Sequence, residues 1–236
     1  MPVQSAAAGF PTGDPALPDD IVAYGPDIPD ESSLKLLGQV DQKRLLVLGA
    51  GGGQAPVALA GQGAHVIVID ADHRALDVAR DRADRLEQRL ELHQGDVAEL
   101  AFIRADTIDG ALAVYELGRQ SDLDRVLRQV NRVLRTGSAL VCSLPHPAFL
   151  LLDAGADDPF RVTHPYLDRT PRADGESVVY PRSVAEIFSC FHRANFRVDA
   201  IHEPAPVDAG TRSPFWSEAM RRVPATLVVR ARKDGL

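Results

Sequence analysis

From Arg44 onward the apolar positions follow two alternating rhythms. Arg44–Leu48 (RLLVL) is a short continuous apolar run that stops at glycine, the pattern of a strand covered on both faces. Residues 65–69 (HVIVI) repeat it and end at Asp70, and residues 90–93, 110–115 (GALAVY) and 138–144 (SALVCSL) supply three further strand candidates. Between these runs the period changes. Residues 54–60 read as a helix. Leu76, Ala79, Ala83, Leu86 and Leu90 recur at three- and four-residue steps, as do Leu123, Val126, Leu127, Val130, Val133 and Leu134, until Thr136-Gly137 stops the second helix. Buried strands alternating with amphipathic helices predict an α/β fold, a doubly wound parallel sheet with right-handed crossovers.

After Pro145 the rhythm breaks. Residues 145–182 hold Pro145, Pro147, Pro159, Pro165, Pro171 and Pro181 among charges and scattered aromatics, and a stretch of that length inside a domain reads as a cap or substrate-binding insertion. A helix over 183–194 (Val184, Ile187, Phe188, Phe191), a strand over 196–201 and a last strand over 225–231 (ATLVVRA) follow. The loop between those strands carries Trp216 and Met220 but no clear crossover helix, so the pair is expected to be antiparallel. At the other end, residues 1–20 are rich in Ala, Gly, Pro and Asp without an apolar period, which predicts a flexible tail ahead of a single domain over 21–236. Residues 21–37 form a lead-in in which Asp30 or Ser32 can cap a short helix carrying Leu34, Leu36 and Leu37.

Composition narrows the function class. At 236 residues and 45% hydrophobic the chain can bury a sizeable core, and 26 basic against 33 acidic residues (−7) leave no broad cationic surface, so nucleic acid is not an expected partner. Cys142 and Cys190 fit neither a disulfide framework nor a zinc spacing and read as buried small hydrophobes. No apolar run of membrane-spanning length and no secretory leader pattern is present, so a cytoplasmic protein without a membrane partner is expected.

The strongest local signal is LLVLGAGGGQ, a buried strand running into Gly49, Gly51, Gly52 and Gly53. Such a turn lets the backbone approach a ligand at the carboxyl end of the sheet. The dinucleotide fingerprint needs a sixth-position glycine, where this chain has Gln54, and a phosphate-binding Gly-Lys-Ser/Thr ending is absent. Asp70, at the tip of the second strand, is placed to accept hydrogen bonds from two ribose hydroxyls, a spacing that suits NAD and S-adenosylmethionine equally; Asp72 is available to cap the next helix. Gly95-Asp96 after the third strand puts a second carboxylate where an adenine amine can be read.

Taken together, LLVLGAGGG, VIVIDADHRALDVAR, GDVAEL and the segment 109–146 containing RVLRTGSALVCSLPH resemble, in order and spacing, the class I S-adenosylmethionine-dependent methyltransferases. The resemblance covers about residues 40–147, and RANFRVDAIHEPAP followed by VPATLVVRARK is similar to the end of small-molecule members. It implies a Rossmann-like sheet of seven strands, mostly parallel with an antiparallel last strand. It also implies S-adenosylmethionine as cofactor: Gly49, Ala50, Gly51 and Gly53 against its methionine part and ribose, Asp70 on the ribose hydroxyls, and Asp96 on the adenine amine. Ala71 and Val97 would flank the adenine ring, and the backbone at Tyr115 would meet the methionine amino group. The chain departs from the family at Val47, where many members carry an acid, and at Thr136-Gly137-Ser138, where many have Pro-Gly-Gly.

The reaction that follows is an in-line displacement in which the protein supplies alignment and exclusion of water. Members acting on nitrogens in polymers often carry Asn/Asp-Pro-Pro-Tyr/Phe after the fourth strand; the sequence here is VYELG, which favours a small-molecule acceptor, with oxygen the leading acceptor atom. His146, between two prolines, is the expected base or orienting group, and Glu116, Tyr24 and Trp216 are the expected substrate contacts, Glu116 being equally able to meet the donor's ammonium. His164, His192 and His202 lack metal-ligand spacing, so no metal is expected. A monomer or homodimer is expected. Two alternatives stand beside the enzyme: a non-catalytic S-adenosylmethionine-binding protein, suggested by Val47, and an NAD-dependent oxidoreductase, opposed by Gln54.

Overall fold

In a computed structural model the apolar runs assemble into one seven-stranded sheet; the structure describes residues 6–153, 156–174, 177–208 and 210–235. Strands β1 (Arg44–Leu48), β2 (His65–Asp70), β3 (Leu90–Gln94), β4 (Gly110–Val114) and β5 (Ala139–Pro145) pair in parallel in the order β3-β2-β1-β4-β5. The insertion holds a small antiparallel hairpin, β6 (Arg172–Asp174) with β7 (Ser177–Val179). The chain returns to the sheet through β8 (Phe196–His202) and β9 (Thr226–Lys233), with β9 antiparallel between β5 and β8. Six strands therefore share one direction and the last opposes them. The strand order reverses between β1 and β4, and the crevice beyond the carboxyl ends of those two strands is where open α/β sheets bind ligands.

Both faces of the central strands are covered, which is why they read as continuous apolar runs. Successive side chains point to opposite faces. Leu46, Leu48, Ile67 and Ile69 pack with the apolar stripe of α5 (Leu123–Val133) and with Ile187 and Phe191 of α6 (Val184–Arg193). Leu45, Val47, Val66 and Val68 face the other way, onto Ala55, Ala58 and Leu59 of α3 (Gln54–Gly61) and Leu76 and Ala79 of α4 (His73–Arg85).

Helix starts follow the local chemistry. Asp72 accepts from the Arg74 N–H at 2.9 Å and caps α4, leaving Asp70 to the turn before it. Asp122 caps α5 through the Arg125 N–H. Ser183 and Glu186 form a capping box on α6, and Glu186 also pairs with Arg169 of the insertion at 2.7 Å. That guanidinium, with the Ser183 contacts, holds the Glu186 carboxyl down at about 2. Tyr180 at the end of the insertion donates its N–H to the Gly118 carbonyl, bonding the insertion to the segment after β4.

Two features differ from the sequence expectation. The β6–β7 hairpin was not foreseen, because three-residue strands carry too little of a period to be seen. Residues 1–20 read as a flexible tail; of the described part, residues 6–9 form a short helix α1 (Ala6–Gly9) and Ala7, Phe10 and Asp14 are buried, while residues 15, 16 and 18–20 are exposed. Residues 1–5 of that tail lie outside the described residues. The lead-in forms α2 (Glu31–Leu34) with Asp30 as its cap. Among the described residues no helix is long and apolar enough to cross a membrane.

Candidate functional site

The glycine turn after β1 sits at the mouth of the crevice. Gly49, Gly51, Gly52 and Gly53 all have positive φ (81°, 53°, 68° and 80°), which side chains strongly resist. Space forbids a side chain as well: a Cβ on Gly53 would lie 2.7 Å from the Ala79 Cα, so this glycine lets α4 close against the turn. A Cβ on Gly49 would lie 2.9 Å from a Glu116 carboxylate oxygen.

Asp70 braces this turn from the end of β2. Its Oδ2 accepts the Ala50 N–H at 2.7 Å and its Oδ1 the Asp72 N–H at 2.8 Å. A carboxylate offers about four lone-pair directions, so two further acceptor directions remain for a pair of hydroxyls. One strand over, Asp96 is exposed and turns one oxygen to the Ala98 N–H at 2.8 Å. Ala71 is exposed beside Asp70, and Val97 is buried beside Asp96. The Gly-rich cradle, two carboxylates at the ends of paired strands and the apolar residues next to each fit a nucleoside carrying an uncharged or cationic extension.

On the β4 side, Tyr115 has a φ of 62°, a strained conformation for an aromatic residue and one often found at ligand sites. Its ring is wholly buried and its hydroxyl pairs with Thr226 at 2.7 Å, while its N–H donates to the Ser143 carbonyl and its own carbonyl accepts the Gly118 N–H. Glu116 follows. Burial is the main cause that pushes its carboxyl up to about 7; the nearby Asp70 adds to the rise, while Arg119, with a guanidinium nitrogen 3.6 Å away, and the Gln120 side-chain amide oppose it.

The N-terminal segment lies directly over the turn. The Phe10 ring is 5.1 Å from Tyr115 and 5.9 Å from Phe215, and its carbonyl accepts from Arg119 at 3.0 Å. Pro11 Cγ is 2.9 Å from where a Cβ on Gly51 would be, and Thr12 Cα is 3.3 Å from that of Gly52. Gln54, which breaks the dinucleotide pattern, donates to the carbonyls of Pro18 and Ile21. Arg82 bonds Asp19, the Leu17 carbonyl and the Gly52 carbonyl, tying α4, strap and turn together.

The remaining expected contacts divide. His146 is buried: Nδ1 accepts the Ala148 N–H at 3.0 Å, which leaves the proton on Nε2 to bond Glu203 at 2.8 Å. The ring therefore orients the chain leaving β5 and holds no free lone pair for a base. Tyr24 is wholly buried with its hydroxyl donated to Glu31 at 2.6 Å; burial, with the Glu31 carboxylate beside it, raises its phenol, so it is part of the core and not a pocket wall. Trp216 lies under the Arg212 guanidinium at 3.9 Å and near Arg221 at 5.3 Å, while its neighbour Phe215 reaches Phe10. Phe10, Arg119 and Phe215 were missed in the sequence. Phe10 is the lone aromatic of residues 1–20, the one signal that pointed to it.

Residues 45–137 match a family described as a methyltransferase domain. Among curated relatives, magnesium-protoporphyrin O-methyltransferase of Rhodobacter capsulatus is 31% identical over 157 residues, 61% of this chain and 67% of that protein. Demethylmenaquinone methyltransferase of Clavibacter sepedonicus is 27% identical over 150 residues, 63% of this chain and 60% of the relative. Among solved structures, an S-adenosylmethionine-dependent methyltransferase from Mesorhizobium loti superposes with a TM-score of 0.67 at 25% identity, over 84% of this chain and 94% of the other. A counterpart from Listeria monocytogenes gives 0.70 at 22% identity, over 86% and 96%, which supports the fold.

Proposed function

Because the chain belongs to the class I S-adenosylmethionine-dependent methyltransferases, we propose that it methylates a small organic acceptor, with oxygen the acceptor atom. Its cofactor is S-adenosylmethionine. The observation that carries the reading is the Asp70 carboxylate braced across the Gly-rich turn, with Asp96 at the adjacent strand end. Oxygen is supported by relatives whose names specify it, the magnesium-protoporphyrin O-methyltransferase and the ubiquinone biosynthesis O-methyltransferase of Aeromonas salmonicida.

When bound, the donor would supply an activated sulfonium methyl: the acceptor oxygen would form the new C–O bond as the S–CH3 bond breaks, S-adenosylhomocysteine would leave, and the hydroxyl proton would pass to solvent. Asp70 would hold the ribose hydroxyls with its unused lone pairs, and Asp96 would accept from the adenine amine, with Ala71 and Val97 flanking the ring. Gly49, Ala50, Gly51 and Gly53 would form the turn that takes the ribose and methionine portion, and the Tyr115 backbone would meet its amino group. Phe10, Phe215 and Tyr115 pack ring against ring in the core beneath the N-terminal segment and fix that segment over the turn. His146 acts as a positioning residue, fixing the start of the insertion through Ala148 and Glu203. Alignment supplies most of the rate, since the leaving group needs no protonation.

Calorimetric titration with S-adenosylhomocysteine tests the donor site, beside Asp70→Ala and with NAD as control. Binding that weakens sharply in the variant is expected. Binding of NAD alone overturns the reading in favour of an oxidoreductase. Transfer of a labelled methyl group to a hydroxylated aromatic acceptor then separates an enzyme from a donor-binding protein that has lost turnover.

A further inference from the structure

We propose that Glu116 receives the α-ammonium of the donor, supplying from the end of β4 the negative charge that position 47 of β1 lacks in this chain. The inference rests on the donor reading above and extends it to one residue. Val47 is buried among the apolar side chains of its sheet face and can make no polar contact with a ligand. Glu116 stands across the strand-order reversal from it, since β1 pairs directly with β4.

Three observations place the carboxylate. Its Oε2 lies 2.9 Å from the position a Cβ on Gly49 would fill, so it packs against the Gly49 end of the turn, while Ala79 of α4 packs against the Gly53 end. Its side chain is 15% exposed, and a carboxylate so far removed from water is costly unless a cation meets it. The partners present answer that need incompletely. Arg119 Nη1 makes a long ion pair at 3.6 Å while its Nη2 serves the Phe10 carbonyl, and Gln120 contributes a neutral amide.

The charged groups that face Glu116 are Arg119, from its own turn, and Asp70, from the end of β2. Glu116 thus has one guanidinium at 3.6 Å and a second carboxylate in its field, and a ligand ammonium would balance that charge. Asp70 and Glu116 flank the turn from opposite sides, one braced on Ala50 and the other against Gly49, as a ligand with hydroxyls at one part and an ammonium at another requires. The raised carboxyl of Glu116, at about 7, agrees with a site waiting for a cation.

The test compares S-adenosylhomocysteine with 5′-methylthioadenosine, which shares the nucleoside and sulfur but has no amino acid, by calorimetry between pH 6 and 8. Glu116→Gln is expected to weaken S-adenosylhomocysteine by roughly ten- to hundredfold, the value of a charge-assisted contact, and to leave 5′-methylthioadenosine unchanged. Glu116→Asp should restore part of the discrimination, and Asp70→Ala should weaken both ligands. Wild-type affinity for S-adenosylhomocysteine should rise with pH through 7, and the rise should vanish in Glu116→Gln. Equal losses for the two ligands in Glu116→Gln, or unchanged S-adenosylhomocysteine affinity with lowered turnover, would overturn the assignment. The first outcome makes Glu116 a structural residue and the second a general base. If wild type binds neither ligand, the donor reading itself fails, an outcome distinct from both.

Discussion

Pro11 rests on Gly51, its Cγ 2.9 Å from the point where a side chain would begin. A residue far from the sheet in sequence thus completes the surface around the cofactor turn, and the fit tolerates nothing larger than hydrogen on the glycine. Gly51→Ala is expected to lift the strap and to strain a φ of 53°. The readouts are faster proteolysis within residues 6–20 and an affinity for S-adenosylhomocysteine lowered at least ~10-fold, the consequence of about 1–2 kcal/mol of backbone and contact strain. Unchanged proteolysis would show that the strap does not depend on this contact.

Asp70 and Asp72 are two residues apart and do different work. Asp72→Ala removes the α4 cap and should cost about 1 kcal/mol in urea unfolding while leaving S-adenosylhomocysteine affinity alone. Asp70→Asn should retain much of the stability yet weaken the ligand. Equal effects of both variants on binding would contradict the division.

Glu116 makes stability depend on pH in a direction opposite to an ordinary ion-paired carboxylate. Between its usual value of 4.5 and about 7, the folded protein keeps a proton that the unfolded chain has released. Stability of the ligand-free protein should therefore fall as pH rises through that window. Glu116→Gln should match wild type near pH 4.5 and exceed it at pH 8, by up to about 3 kcal/mol. Urea unfolding at the two pH values checks the sign.

His146→Ala breaks a bond to Glu203 and releases the Ala148 N–H inside the protein. A loss of about 1–3 kcal/mol is expected, with donor affinity intact. Turnover should fall without loss of any ionisation limb from its pH profile. A missing limb near neutral pH would restore the ring as a base.

Leu127 is wholly buried at the centre of the α5 stripe, against the face of β1 and β4. Leu127→Ala should cost about 2–5 kcal/mol, read as a lowered urea midpoint with an unchanged slope.

The sheet was legible because strands covered on both faces announce themselves as unbroken apolar runs, as in residues 44–48 and 65–69. The α4 cap was legible: Asp72 stood ready to take it and does, which leaves the Asp70 side chain to the turn. The strap was not legible, since much of what holds it is backbone carbonyls at Phe10, Leu17, Pro18 and Ile21 met by side chains distant in sequence. Composition cannot reveal such acceptors. His146 was legible as a polar residue at a strand end, but its role depends on Glu203, 57 residues away. Tyr24 failed as a pocket residue for a similar reason: Glu31 takes its hydroxyl and turns a candidate contact into a core strut.

The junction between insertion and sheet matters for protein engineering. Tyr180 bonds Gly118, and the Arg182 guanidinium caps the carbonyls of Gln120 and Ser121, so the returning end of the insertion is fastened to the loop that carries Glu116. A foreign acceptor-binding segment grafted in its place would need to keep Tyr180 and Arg182 on the host side of the splice. A graft cut beyond them would alter acceptor choice and detach the donor loop together, and the two effects could not be told apart in the chimera.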